Sequence, residues 1–431
     1  MSGRITQLAD LVVEVNERNP PDRAEVFSVS ERYGIIPQRE LFTKQIATSD
    51  RSKYRRIQYG DVVFNPYLLW NRAVGVCFYP EGGCVSPAYP VLRPRQSGTE
   101  RFLHYFFRSK QLTSAVDSIA TGSVTRRRTA SLEEILRLTF QLPKVESQKE
   151  ANLLLQTLDD KIELNRRMNA TLEAMARALF QSWFVDFDPV RAKLDGRKPD
   201  GLDAATVALF PAHFKDSTLG HIPQGWEVGT LGDVTEVQGG FAFKSKDFID
   251  SGFPVVKIKN IRDDHTVDVY DVEYVSVNLA SQAKEYQLND GDVLMSMTGA
   301  NVAKFGLLVN REIRAVLNQR VARFVPRSYL GRPWFVFCSL LDESVLNQIV
   351  SRAEGSAQPN VSATGIKAAK LVKPPEAIVN AFNEAVQPLF TSFLNNIREN
   401  RTLATLRDTL LPKLLSGDIR VANVEDEVAS V

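Results

Sequence analysis

The sequence predicts an α+β protein in which two globular domains, each a twisted β-sheet with helices, stand in tandem repeat. They are separated by two long antiparallel coiled-coil helices, and the whole has a pseudo-twofold arrangement. Three observations predict it. The chain has 431 residues, more than one core usually organises. Short motifs recur at an offset of about 232 residues. Two segments carry apolar residues spaced alternately by three and four, the signature of a helical seam.

The repeat keeps its order along the chain. Leu8-Ala9-Asp10 parallels Leu231-Gly232-Asp233, and Gly60-Asp61-Val62 parallels Gly291-Asp292-Val293. Val91-Leu92-Arg93-Pro94 parallels Arg323-Phe324-Val325-Pro326, Gly122-Ser123 parallels Gly355-Ser356, and Ile162 to Arg166 parallels Ile397 to Arg401. Chance matches would not keep this order. The reading divides the chain into a first domain (1–143), a first long helix (144–185), a connector (186–225), a second domain (226–375), a second long helix (376–416) and a tail (417–431).

Each element has a local reason. In both domains Val-rich stretches such as Asp61 to Phe64, Pro254 to Ile258 and Arg320 to Val325 are bounded by turn residues and read as strands, with helical patches such as Trp334 to Ala353 between them. The first helix presents Leu155, Leu158, Ile162, Asn165, Asn169, Leu172, Ala176, Leu179 and Trp183 on one seam. The second presents Val386, Phe390, Phe393, Ile397, Asn400, Leu403, Leu406 and Leu410. Asn165 and Asn400 fall at the same seam position, where a buried amide fixes register. Each helix, at 1.5 Å per residue, is a rod of roughly 60 Å. Pro388 either kinks the second or starts it. Gly196, Pro199, Gly201, Pro211 and Pro223 mark the connector, and acidic Glu425-Asp426-Glu427 marks a tail expected to be disordered.

Composition narrows the function classes. Hydrophobic residues are 44% and charged residues 24%, with no apolar run long enough for a membrane span. The N-terminus lacks a basic stretch followed by an apolar core, so a cytoplasmic protein is expected. Cys77, Cys84 and Cys338 are scattered, as are His104, His213, His221 and His265, and no metal site is expected. Residues 1–143 hold 20 Lys and Arg against 14 Asp and Glu, although the whole chain is only +2. Much of that excess is arginine (Arg51, Arg55, Arg56, Arg93, Arg95, Arg126 to Arg128), whose planar fork suits phosphate and guanine edges.

No motif supports catalysis. Asn65-Pro66-Tyr67 is similar to the Asn-Pro-Pro-Tyr element of amino-methyltransferases, but the second proline and an upstream glycine-rich cofactor loop are missing. Asp186 and Asp188 lack the further acid and lysine of a nuclease site and read as residues of a helix end. No G-x-x-x-x-G-K-[ST] occurs, so no ATP site is expected. Binding reads better. Gly239 to Ser245 either brings its backbone and Lys244 to a phosphate or is a hairpin with core phenylalanines. Gly355 to Ser362 is rich in amides, which read adenine, and its counterpart Gly122 to Arg128 is rich in arginine, which favours guanine or phosphate. Equivalent loops of different chemistry imply two different half-sites.

Three stretches carry a resemblance: Ser182 to Lys193 (SWFVDFDPVRAK), Ile222 to Val228 (IPQGWEV) and Leu410 to Val421 (LLPKLLSGDIRV). Over nearly its full length the chain resembles the specificity subunit of type I restriction-modification systems. The first domain departs from the pattern in having no Gly-Trp-Glu start, beginning directly at Leu8. The resemblance implies that each globule is a target-recognition domain reading half of an interrupted DNA site, while the helices set the gap. It also implies that two modification subunits, carrying S-adenosylmethionine and methylating adenine, dock on the helices. Two ATP- and Mg-dependent restriction subunits complete a host-defence complex. This chain itself would be non-catalytic and hold no cofactor.

By residue type and repeat position, the DNA-binding residues are expected to be Lys53, Arg55, Arg56, Asn71, Arg72, Arg126, Arg127 and Arg128 in the first domain. In the second they are Lys244, Lys246, Asn301, Lys304, Asn318, Gln319, Gln358 and Asn360. The competing reading is a non-catalytic protein-interaction scaffold with two heads on a coiled-coil spacer.

Overall fold

The computed structural model describes residues 4–18, 24–41, 51–121, 129–309, 314–327, 332–355 and 359–421. It divides into two units, Met1–Glu163 with Arg401–Val431, and Leu164–Asn400. The acidic tail lies outside the described residues.

In the first unit a four-stranded antiparallel sheet runs in the order Val12–Val15, Val91–Pro94, Val62–Phe64, Val74–Val76. Val62–Phe64 and Val74–Val76 are valine-rich because they are buried on both faces, which favours β-branched side chains without polar alternation. Helices Glu100–Arg108 and Lys110–Ile119 bring Phe102, Phe106, Phe107 and Leu112 to one core, which also takes in Leu155 and Leu410 of the long helices. The opposite side packs Val63 and Val91 with Phe27, Ile57 and Val85.

The second unit repeats the order in a five-stranded sheet: Thr235–Gly239, Val321–Pro326, Val293–Ser296, Phe305–Leu308, with Thr266–Val267 added in parallel at the edge. Helices Trp334–Leu341 and Glu343–Val350 cover it. The aligned motifs do equivalent work. Asp10 accepts from the Gln7 backbone N–H at 3.2 Å, and Asp233 accepts from that of Thr230 at 2.7 Å. Asp61 takes Arg93 bidentately at 2.9 and 3.0 Å, and Asp292 faces Arg323 at 3.5 Å.

Each sheet region is closed by a strand pair next to a long helix. Glu227–Thr230 pairs with Lys370–Lys373, and Arg4–Gln7 pairs with Thr139–Leu142. The first domain therefore does not begin directly at Leu8: Arg4–Gln7 plays the part that the Trp226-Glu227 stretch leads into in the second, without its sequence signature.

The long helices are Val145–Phe180, followed by a π-helical turn Gln181–Val185, and Glu376–Ser416. They pair antiparallel. In the first unit Asp159 meets Arg407 at 3.1 Å. In the second, Asn165 Nδ2 donates to Asn400 Oδ1 at 2.9 Å and to Glu399 Oε2 at 2.7 Å, and Asn396 Nδ2 donates to Asn169 Oδ1 at 2.9 Å. Leu155, Leu158, Ile162, Asn165, Phe390, Phe393 and Leu410 are buried, while Leu172, Leu179, Ile397, Asn400 and Leu403 are half-buried. Pro388 lies inside the second helix and does not start it. It is tolerated because Glu384, whose carbonyl loses its i+4 donor, is exposed and open to water.

Ser182 to Lys193 turns out to be a packing element. Trp183, Phe184 and Phe187 are buried with Phe210, Trp226, Phe335 and Phe382. Phe187 takes a left-handed conformation (φ 56°) that starts helix Asp188–Leu194, and the Asp186 carbonyl accepts from Arg191 Nε at 2.7 Å. Asp186 and Asp188 belong to this turn.

Candidate nucleic-acid interface

In the second unit three polar segments converge at the end of strand Val293–Ser296. The Met297 N–H donates to the Arg320 carbonyl at 3.0 Å, and the Met297 carbonyl accepts from Val361 N–H at 2.9 Å. Gly299 N–H reaches the Pro359 carbonyl at 2.8 Å, and Thr298 lies opposite Asn360 in a bridge. The turn containing Asn301 closes through Lys304 N–H to the Asn301 carbonyl at 3.1 Å. Asn301, Lys304, Asn318, Gln319 and Asn360 are thus brought together by main-chain bonds, with Asn301, Gln319 and Asn360 exposed.

Lys244 and Lys246 are exposed beside this cluster, because Gln319 N–H donates to the Phe241 carbonyl at 2.9 Å. Gly239 to Ser245 takes the packing alternative: Phe243 is buried and packs at a tilt against Phe241, ring centroids 4.8 Å apart. It is not a hairpin, since Phe241 bridges Asn318 in parallel. Gly240 is required there, because a Cβ would come within 2.3 Å of the Asn318 carbonyl oxygen. Lys304 is half-buried and held by Asp263 at 2.7 Å, so its charge is already partly compensated.

The first unit has the same site built from different residues. After strand Val62–Phe64 the chain forms a loop through Asn71 and Arg72, both exposed. Asn65 N–H donates to the Ala73 carbonyl at 2.9 Å, and Asn65 Oδ1 accepts from Tyr67 N–H at 3.0 Å. The Asn65-Pro66-Tyr67 motif is therefore a turn device. Trp70 Nε1 donates to the Tyr67 carbonyl at 3.1 Å, leaving the Tyr67 ring 51% exposed. Arg72 is left-handed (φ 65°), and its carbonyl accepts from Arg108 at 3.1 Å. Burial lowers the Arg108 pKa, with the Arg72 charge adding to the effect.

Both sites adjoin a paired stem. Thr121 and Thr129 exchange backbone bonds at 3.1 and 3.2 Å, and Thr129 Oγ1 donates to the Pro66 carbonyl at 3.4 Å. Glu354 and Asn360 exchange them at 2.9 and 2.8 Å. Arg126, Arg127, Arg128 and Gln358 lie outside the described residues.

Other expected contacts are arranged differently. Lys53, Arg55 and Arg56 belong with strand Arg55–Ile57, paired to Gly83–Val85 rather than to the Asn65–Arg72 loop. Lys53 and Arg56 are exposed, but Arg55 is turned inward, with Nε on the Pro87 carbonyl at 3.2 Å and NH1 on Glu14 at 3.1 Å. The arginine excess is partly internal bracing: Arg93 holds Asp61 and Glu17, Arg95 holds the Ala9 carbonyl, and Arg51 holds the Ala24 carbonyl. Residue type alone cannot separate a phosphate ligand from a carboxylate ligand. Arg320, exposed at the second site, is not among the expected contacts. The adjacency of Arg320 to Asn318-Gln319 was the available signal.

Among the described residues no group of three or more His, Cys, Asp or Glu gathers as a metal site, and no helix is long and apolar enough to cross a membrane. Two α+β domains of one plan, each with exposed amides and cations beside long paired helices, make this a tandem-repeat protein. Residues 223–399 match the family model of the type I restriction modification DNA specificity domain. The chain is 27% identical over 408 residues to the type I restriction enzyme HindI specificity subunit of Haemophilus influenzae, covering 85% of this chain and 88% of that one. It is 26% identical over 333 residues to the MjaIX specificity subunit of Methanocaldococcus jannaschii, covering 76% and 71%. The crystal structure of the type I restriction-modification S subunit from M. genitalium shares the fold, with a TM-score of 0.52, 15% identity and 96% of both chains covered. The chain is similar to the type I restriction-modification specificity subunits.

Proposed function

We propose that this chain is the DNA sequence-recognition subunit of a type I restriction-modification complex. Each domain reads one half of an interrupted double-stranded site, and the paired helices set the gap and dock the modification subunits. The observation that carries this reading is the same main-chain frame, closed by the same kind of paired stem, in two domains that offer different side chains. Exposed cations such as Lys53, Arg56, Arg72, Lys244 and Lys246 neutralise phosphates and give salt-dependent, sequence-blind affinity. Asn71, Asn301, Asn318, Gln319 and Asn360, together with Gln358 and Arg126 to Arg128, discriminate base edges.

In this reading the chain is non-catalytic and cytoplasmic. Two modification subunits bring S-adenosylmethionine, and two restriction subunits bring ATP-driven translocation and cleavage. A methylated base must leave the stack, and that pocket belongs to the partner.

The test is co-expression with the modification subunit in a methylation-free host, followed by native sequencing for modified adenines. A single two-part motif with a fixed gap is expected. An intact complex that modifies nothing, together with duplex binding that does not weaken as salt rises, would overturn the reading in favour of a protein scaffold.

A further inference from the structure

Helices Glu100–Arg108 and Trp334–Leu341 begin without a side-chain cap of their own: their N-cap residues are Thr99 and Pro333, and neither caps. The first-turn N–H groups of a helix need an acceptor when buried. In both domains that acceptor comes from a long helix. Asn152 Oδ1 accepts the Arg101 N–H at 2.6 Å, and Asn383 Oδ1 accepts the Phe335 N–H at 2.8 Å. Arg101 and Phe335 occupy the same place, the second residue of each helix. Asn152 and Asn383 are 4% and 0% exposed, and they fall at the repeat offset. Two independent instances of one non-local bond make it a joint.

In the first unit the capped helix continues to the candidate interface. Its last residue, Arg108, donates to the carbonyls of Arg72 and Val74 at 3.1 and 2.8 Å. Nine residues, roughly 13 Å of helix, therefore run as a strut from the long helix to the Asn65–Arg72 loop. Asp159 reinforces the same joint by accepting from Tyr105 Oη at 2.7 Å and pairing with Arg101 at 3.2 Å.

We propose that Asn152 is a positioning residue that fixes the first domain's recognition loop on the long helix and so sets the stringency of the gap. This rests on the DNA-recognition reading above. Removing the acceptor leaves the domain folded on its apolar core but lets the strut shift, so the same bases are read in more than one register.

The experiment uses the full chain with its modification subunit. Asn152→Leu removes the acceptor and Asn152→Asp restores it. Native sequencing of modified adenines is expected to show the wild-type motif with a single gap, Asn152→Leu with the same bases but neighbouring gaps also modified, and Asn152→Asp back to a single gap. Amide exchange at Arg101 is expected to rise about tenfold in Asn152→Leu alone. A folded Asn152→Leu complex that keeps a single gap overturns the proposal, as does a change in the bases of the half-site. If Asn152→Leu does not fold, Asn152→Ala with the same two readouts decides. A wild-type complex that yields no two-part motif would sink the functional reading, while the exchange result would still report on the joint.

Discussion

Arg93 separates internal bracing from phosphate binding, and its replacement by leucine gives the two roles opposite signatures. Asp61 is 1% exposed and accepts from Arg93 Nε and NH2 at 2.9 and 3.0 Å and from the Gln58 N–H at 2.8 Å. These bonds hold the Arg93 guanidinium more firmly protonated than an ordinary arginine. Arg93→Leu leaves the buried carboxylate with one of its three donors. Breaking a buried ion pair costs about 3–5 kcal/mol, and the partial exposure of Arg93 argues for the lower end, about 3 kcal/mol. In a unit of this size each kcal/mol moves the midpoint by about 2–4 °C, so the first unit should melt about 6–12 °C lower. Differential scanning calorimetry of the full chain would measure it. Asp61→Leu added to Arg93→Leu should recover much of the loss, because an apolar pair of similar volume replaces the stranded charge. The slope of log affinity against log salt for random duplex should stay unchanged, whereas loss of a phosphate contact would lower it by about 0.9. A lowered slope with an unchanged melting profile would refute the reasoning.

Three further outcomes are expected. Asp292 is the counterpart of Asp61, but its arginine stands at 3.5 Å and burial raises its pKa from the ordinary aspartate value. A raised folded-state pKa means stability present at low pH and lost as pH rises through that value. Asp292→Asn should therefore remove the part of the second unit's stability that is lost as pH rises from the ordinary aspartate pKa through the raised one, read by urea midpoints against pH. Lys244→Ala should weaken all duplexes alike and reduce the salt slope by about 1, while Gln319→Ala should relax one base position by about 1–3 kcal/mol at unchanged slope, both by fluorescence anisotropy. Inserting four residues at matched places in both long helices, about 6 Å, should change the preferred gap by one or two base pairs in the modified-adenine motif; an unchanged gap would show that the helices are not the ruler.

The repeat was legible because its markers are residues whose roles depend on type: Gly60-Asp61 and Gly291-Asp292 turn and brace, and Asp10 and Asp233 cap. The seam was legible because heptad spacing is a one-dimensional signal, and Asn165 finds Asn400 as the shared position implied. What stayed hidden is pairing across distance. Arg93 reads as a free cation until Asp61 is seen beside it, Arg55 until Pro87 and Glu14 are. Asn152 and Asn383 look like any polar residues of a long helix, because nothing local announces that a helix elsewhere lacks a cap. The interface was half legible: the amides of the second domain are gathered as a set, while Lys53 to Arg56 sit on another sheet.

The stems at Thr121–Thr129 and Glu354–Asn360 are each closed by a reciprocal pair of backbone bonds, which do not depend on the side chains of the paired residues. Loop-closure entropy grows only by about 0.6 kcal/mol for each doubling of length. A longer chain between the paired residues therefore costs the fold little. A lineage under pressure to recognise new DNA can rewrite one short cassette while its scaffold stays unchanged.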